Sequence, residues 1–379
     1  MNFDLTKEQE MIRKLIRDFS EAEVAPGADE RDRTGAFPYE IFSKLAELGI
    51  MGLPFPEQYG GGDADTISFA IVVEELSRVC ASSGITYSAH ISLGGEPLNL
   101  FGTHEQKEKY LTPICTGESF GAFGLTEPNA GSDAGGTQTT AVIDGDEWVI
   151  NGSKCFITNA SYAKHLAVTA VTDRSKGING ISAFIVPTNA PGFTVINNYE
   201  KMGLQSSNTT ELILENVRVT KDNLLGTEGE GFKQFLATLD GGRIGIGAMA
   251  VGLAQGAYEK SLQYAKERKQ FGKSISNFQA IQFKLADMAM NIEIARNMVY
   301  KAAWLKDQGR VFKKEAAYAK LFASEICMRA CDQAVQIHGG YGYMKEYQVE
   351  RFFRDAKLLE IGEGTSEVQR MVIAKQIGC

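Results

Sequence analysis

The chain has no cysteine pair at CxxC spacing, no HExxH motif, no basic excess and no apolar run approaching the roughly 18 residues of a membrane span. Each absence removes a class of function. The six cysteines, Cys80, Cys115, Cys155, Cys327, Cys331 and Cys379, are scattered and read as reduced, mostly buried thiols rather than a disulfide framework. Cys327 and Cys331 stand four apart on a predicted helix, but a metal there needs further ligands, and the nearest histidine, His338, lies beyond. The four histidines fall in no ligand spacing, so metal catalysis has no support. A formal charge of −8, with lysines and arginines interleaved among acids, leaves no electrostatic footprint for nucleic acid. The first residues, MNFDLTKEQE, are acidic and polar where a signal peptide is basic and then apolar. A soluble, cytoplasmic protein that spans no membrane is expected.

What is present is a globular balance, 44% hydrophobic and 23% charged over 379 residues, long enough for two or three packed units. Periodicity divides it into three. To about Ser119 the pattern is helical: Thr6 and Gln9 form a capping-box pair, and Met11, Ile12, Leu15, Ile16 and Phe19 make one apolar face that Pro26 ends. A second helix is predicted from about Pro38, with Ile41, Leu45 and Leu48 before Gly49, and a third carries Phe69, Val72, Val73 and Leu76. From about Phe120 to Val219 the period becomes two, in short runs such as TTAVI, EWVI, ISAFIV and ELILENVRV. Asp144-Gly145 and Asn151-Gly152 flank EWVI as hairpin signals. From about Gly231 the helical period returns, and Ile281, Leu285, Met288, Ile292, Ala295 and Val299 step by four and three as the seam of a bundle helix. The predicted fold is mainly α with a small, mostly antiparallel central β domain: an N-terminal helical domain over 1–119, the β domain over 120–230 and a C-terminal helical bundle over 231–379. Strands do not alternate with helices, which excludes a doubly wound parallel sheet and a (β/α)₈ barrel.

The glycine-rich GGRIGIG, 241–247, continues a helical pattern instead of following a strand, and no acid follows at dinucleotide spacing; it reads as close helix packing. Four other stretches are unusual for a structural protein. FGLTEPNAGSDAGG, 123–136, offers backbone NH groups and hydroxyls; KCFITNA, 154–160, sets an aromatic and a hydroxyl two apart on a predicted strand; QIHGGYGY, 336–343, allows close backbone approach between helices. In IGEGTSEVQR, 361–370, Glu363 lies between two glycines just ahead of a final helix. Taken singly, each has an ordinary reading: a turn-rich loop, a core aromatic, or an acid complementing a helix N-terminus.

Taken together and in order, these stretches, with TLDGGRIGIGA, YAKERKQFGKSISNFQAIQFKLADMA and VERFFRDAKLLEIGEGTSEVQR, resemble the acyl-CoA dehydrogenase family across essentially the whole chain. Within it, the resemblance is to the short-chain or butyryl-CoA group. It implies the same order of helical domain, β domain and helical bundle. It also implies FAD as cofactor, an acyl-CoA substrate, electron-transfer flavoprotein as redox partner, and a homo-oligomer, usually a dimer of dimers. Glu363 matches the base that removes the proton from C2 of the thioester while a hydride leaves C3 for the flavin, and its backbone NH matches a donor to the thioester oxygen. Phe123, Leu125 and Thr126 match the loop along the flavin ring, Ser132 a serine near pyrophosphate and CoA, Phe156 an aromatic stacked on the ring, and Thr158 a hydroxyl at its N5. Arg268, Phe271, Gln279, Gln336 and Gly340 match residues that bind the adenosine diphosphate across a subunit interface; Thr365 and Glu367 match the adenine end. Asp240 and Arg243 match a pair beside the CoA chain, and Gly362 and Gly364 flank the base on the acyl side.

Two positions depart from the commonest pattern. Relatives usually carry an aromatic where Gly362 stands, so the acyl pocket loses bulk there. Relatives that place the base on the bundle helix do so at the position of Gly242, and glycine cannot serve. The same path run backwards is an enoyl-CoA reductase for crotonyl, branched or aryl-acryloyl groups. A non-catalytic relative that only binds FAD, DNA or acyl-CoA is disfavoured by the retained Glu363 and the acidic balance.

Overall fold

The structure, a computed structural model, describes residues 4–196 and 198–379. The capping box at Thr6 starts the helix Lys7–Phe19, with Gln9 N donating to the Thr6 hydroxyl at 3.2 Å and Thr6 N to the Gln9 side chain at 2.9 Å. Its buried face is narrower than the apolar stripe: Ile16 is buried, Ile12 and Phe19 are half-buried, but Met11 is 72% and Leu15 41% exposed. Nor does Pro26 end the helical course. It sits in the first turn of a short segment leading into Ala28–Thr34, where a missing NH costs little. Tyr39–Glu47 buries Ile41 and Leu45, whereas Leu48 caps the end and is exposed.

The helix Thr66–Val79, capped by Asp65, is buried on nearly every side because it runs between the first helix and the long helix Gly231–Glu267. Close approach explains the glycines of that long helix. A Cβ at Gly252 would collide with the Glu74 carbonyl and one at Gly256 with the Arg78 carbonyl. The bundle is completed by Gln279–Asp307, Lys313–His338, Val349–Leu359 and Ser366–Ile377, and the predicted seam from Leu285 to Val299 faces its core.

Between the helical parts lies an eight-stranded sheet: β1 Phe123–Gly124, β2 Thr140–Asp144, β3 Glu147–Thr158, β4 His165–Val171, β5 Ile181–Pro187, β6 Phe193–Ile196, β7 Thr209–Thr220 and β8 Leu224–Leu225. The order is β6-β7-β3-β2-β4-β5-β8, with β1 also on β4. Most pairs are antiparallel, but β1–β4 and the single pair Thr140–Val171 of β2–β4 are parallel. Asp144-Gly145 makes the predicted hairpin, closed by Asp144 against Glu147. Asn151-Gly152 does not turn the chain; it lies inside β3 at a register shift, where a Cβ on Gly152 would strike Thr139.

Along β5, Ala183 and Ile185 enter the helical core while Phe184 and Val186 enter a second core with Trp148, Ile150 and Leu212. Successive side chains of one strand thus serve two cores, the period-two geometry that ties the sheet to the long helix. No helix among the described residues is long and apolar enough to cross a membrane.

Candidate active site

Glu363 sits on a turn that the neighbouring helices force. The helix Val349–Leu359 runs out at the Leu358 carbonyl, which accepts from Ile361 N at 2.9 Å and Gly362 N at 2.8 Å. The chain then passes through Glu363 and Gly364 with φ of +53° and +96°, and Thr365 caps the last helix through Val368 N at 3.3 Å. A left-handed glutamate is strained by about 1 kcal/mol or more and persists only if its surroundings hold it. They do so here. The buried Gln369 amide donates to the Glu363 carbonyl at 3.3 Å and to that of Gly364 at 2.9 Å, and Lys320 Nζ donates to the Gly364 carbonyl at 2.8 Å.

Glu363 is half-buried as a residue, yet both carboxylate oxygens are closed off from solvent and have no hydrogen-bond partner among the described residues. The carboxylate rests on Gly242 of the long helix, where an added Cβ would fall on Oε2. Burial pushes its carboxyl up to about 7, against the opposing pull of Lys320 and Arg243. A buried acid without a partner is costly, and such groups mark places where a ligand or a proton completes the site.

The long helix relates this acid to the sheet. Phe235 stacks on Phe123 at 4.0 Å between ring centres, and Gly242 lies seven residues further on. Seven residues are about two turns, so both contacts fall on one face of the helix about 10 Å apart. Between them, Asp240 is hydrogen-bonded to the buried Arg243, whose Nε has no partner among the described residues.

On the sheet side, a register shift between Lys154 and Ile157 produces a bulge in β3. Lys154 and Cys155 are buried in succession. Phe156, at φ +59°, is then turned outward and 64% exposed beside Tyr199, ring centres 5.2 Å apart, and Thr158 follows on the same side opposite buried Ile157. Cys155 N donates to the Thr126 carbonyl at 2.9 Å, so the loop carrying Leu125 and Thr126 runs beside the bulge. Beneath both, the fully buried Lys154 ammonium donates to Glu127 at 2.7 Å, the Thr169 hydroxyl at 3.2 Å and the Leu125 carbonyl at 3.3 Å. Glu127 also accepts from Gln138 N at 2.6 Å and Thr139 N at 3.1 Å.

Three family models cover the chain: the acyl-CoA dehydrogenase N-terminal domain over residues 6–118, the middle domain over 122–217 and the C-terminal domain over 229–378. The chain is 65% identical over 378 residues to a probable acyl-CoA dehydrogenase of Bacillus subtilis, all of both chains being covered. Two solved structures each match with a TM-score of 0.98 and 50% identity over all of both chains. One is butyryl-CoA dehydrogenase from Megasphaera elsdenii; the other belongs to a study of the electron-transferring flavoprotein of Acidaminococcus fermentans and flavin-based electron bifurcation. The chain belongs to the acyl-CoA dehydrogenase family. Such enzymes are oxidoreductases acting on the CH–CH group and depend on FAD.

The residues of this acyl-CoA dehydrogenase fit that cofactor on their own chemistry. An outward-turned aromatic on a strained bulge, with Thr158 two residues on and the Thr126 peptide bonded to the adjoining Cys155, suits a flat ring with polar edges. Arg268 and Gly340 share a cavity of about 470 Å³ with Tyr264, Ile275, His338 and Tyr341. Ser132, Phe271, Gln279, Gln336 and Glu367 are exposed and do not line that cavity, Phe271 being 93% exposed on the single chain. Thr365 caps a helix, and that N-terminus with the Thr365 hydroxyl holds the Glu367 carboxyl low. Among the described residues no group of three or more His, Cys, Asp or Glu is arranged to hold a metal.

Sequence reasoning missed Phe235, Tyr199, Gln369 and the two buried lysines. Only Lys320 carried a usable signal, a charge in AAYAKLFA where the surrounding alanines mark a core face.

Proposed function

We propose that the protein is a short-chain acyl-CoA dehydrogenase, converting an acyl-CoA to the trans-2-enoyl-CoA and passing electrons to an electron-transfer flavoprotein. The observation that carries this is the Glu363 carboxylate: buried, without a partner, and seated on Gly242 along the helix face that reaches Phe123. Glu363 takes the proton from C2, and a carboxyl brought to about 7 by burial is matched to that task near neutral pH. FAD, when bound, supplies the acceptor for the hydride leaving C3. The Glu363 backbone NH orients the thioester oxygen and stabilises the charge that develops there. Phe123, Leu125, Thr126, Phe156 and Thr158 hold the ring, and Arg243 with Asp240 lies beside the CoA chain. Arg268, Phe271, Gln279, Gln336, Gly340, Thr365 and Glu367 serve the adenosine diphosphate, with Ser132 near the pyrophosphate. The bare Phe271 ring fits sharing of that site between subunits of a cytoplasmic homotetramer. The chain is assigned three domains, 1–119, 120–230 and 231–379.

A second reading, the reverse reaction on a branched or aryl-acryloyl thioester, is favoured by one feature. A Cβ at Gly362 would meet nothing closer than the Leu358 carbonyl at 3.5 Å, so the acyl side has room for a bulky group. The deciding experiment is anaerobic mixing of the yellow protein with straight, branched and aryl-substituted saturated acyl-CoAs, following loss of the flavin band. Fast bleaching by butyryl-CoA supports the first reading, and bleaching only by branched or arylpropionyl thioesters supports the second. In Glu363→Gln, FAD should remain bound while bleaching slows by about 10²–10⁴-fold; undiminished bleaching would remove Glu363 as the base.

A further inference from the structure

Lys320 is fully buried in the helix Lys313–His338, on a face made by Ala316, Ala317, Ala319 and Ala323, where a charge has no packing reason to be. Its one hydrogen bond among the described residues runs to the Gly364 carbonyl at 2.8 Å, and no carboxylate among them lies within ion-pair distance of it. The other fully buried lysine, Lys154, is bonded directly to Glu127 at 2.7 Å. Lys320 instead holds the peptide next to a carboxylate that has no partner of its own. That placement has a chemical logic. A lysine bonded to Glu363 would occupy the lone pairs that must receive the proton, whereas one held at the adjoining peptide leaves them free while its charge still acts on the carboxylate. Other charges face the pair from each packed element. Arg243 of the long helix is tied to Asp240, which Lys313 approaches at 3.6 Å; Glu360 is bonded to Lys357 at 2.6 Å; Glu367 lies in the last helix. Burial brings the Lys320 ammonium down to about 8, so it remains mostly charged at neutral pH.

We propose that Lys320 is the positioning residue of the base, fixing the left-handed Glu363–Gly364 turn through the Gly364 carbonyl while its charge, in no direct ion pair, acts on the Glu363 carboxylate and favours its ionised form. This rests on the reading of Glu363 as base. Lys320 touches neither reacting atom; it acts through the peptide and the field.

The test is an infrared pH titration of the holoenzyme, with the Glu363 carboxyl band identified by its absence from Glu363→Gln, run beside the pH dependence of anaerobic flavin bleaching by butyryl-CoA. In Lys320→Gln, which keeps a donor but loses the charge, the midpoint of the Glu363 band should move to higher pH by about half a unit or more. Bleaching should fall several-fold on the acid side and recover toward alkaline pH. Lys320→Arg should restore the midpoint. If Lys320→Gln does not fold, Lys320→Met, of similar volume, carries the same test. An unmoved midpoint, a rate loss equal at every pH, or an equal shift in Lys320→Arg would overturn the assignment. The two readings fail differently. Normal bleaching by Glu363→Gln sinks the base, whereas an inactive Glu363→Gln with an unmoved midpoint in Lys320→Gln sinks only the role of Lys320.

Discussion

Two glutamates with buried carboxylates, one in the loop that enters the sheet and one on the turn before the last helix of the bundle, are treated in opposite ways. Glu127 accepts from Lys154 and two backbone NH groups, and although burial opposes it, the lysine holds its carboxyl below the usual range. The Glu363 carboxylate is also closed off from solvent and has a lysine nearby, yet its oxygens accept nothing among the described residues and burial pushes it up to about 7. The difference lies in where the lysine bonds. At Glu127 the ammonium meets the carboxylate and cements the loop that carries Thr126 to the bulge that carries Phe156. At Glu363 it meets the neighbouring peptide and leaves the acid free. A satisfied buried acid is scaffold, whereas an unsatisfied one on a strained turn is poised for chemistry.

The largest effect that tests this contrast is expected at the scaffold. Glu127→Gln leaves Lys154 buried without its counter-charge and should cost about 3–5 kcal/mol of stability, read by denaturant unfolding of the holoenzyme. A loss below about 1 kcal/mol would make the pair dispensable and the comparison empty. Next comes Gly242→Ala, whose methyl group would displace the Glu363 carboxylate; flavin reduction should fall about 10²-fold with FAD retained if the proposed base is thereby moved by about an ångström. Third, Glu363→Gln should stabilise the fold. Its folded pKa is raised, so the acid's contribution is fully present below the ordinary carboxylate range and is lost as pH rises through about 7. Melting curves should therefore show the variant more stable by about 1–3 kcal/mol at pH near 8, with the gain shrinking as pH falls through about 7 and vanishing only below the ordinary carboxylate range, about 4. Glu127→Gln should show no such gain at any pH. The smallest change is Gly362→Tyr, which should narrow the acyl range with little loss on butyryl-CoA; an unchanged substrate profile would show that this wall does not bound the pocket.

Much of the fold was legible because its signals are local. Thr6 and Gln9 cap a helix by themselves, Asp144-Gly145 turns a hairpin by itself, and the Leu285–Val299 seam declares a bundle face by spacing alone. The misreadings have equally specific causes. Met11 and Leu15 lie on an apolar stripe wider than the face the chain buries, Pro26 begins a helical segment instead of closing one, and Asn151-Gly152 has turn chemistry but is kept in a strand by pairing with β7. Only at Asn151-Gly152 did a neighbour distant in sequence outweigh the local preference; Pro26 keeps to a first-turn position that tolerates it, and Met11 and Leu15 stay exposed beyond the buried face.

Residue types, their order and their short-range periods determined the helix–sheet–helix succession, the family resemblance and Glu363 as the acid to watch. Only the tertiary structure decided that Glu363 would be left without a partner, that Gly242 would make room for it, and that Lys320 would bond the peptide beside it and not the carboxylate. The reason is physical. Desolvation and the pairing of buried charges depend on contacts between residues 43 to 121 positions apart, as from Lys320 and Gly242 to Glu363, and no local pattern in the chain encodes them.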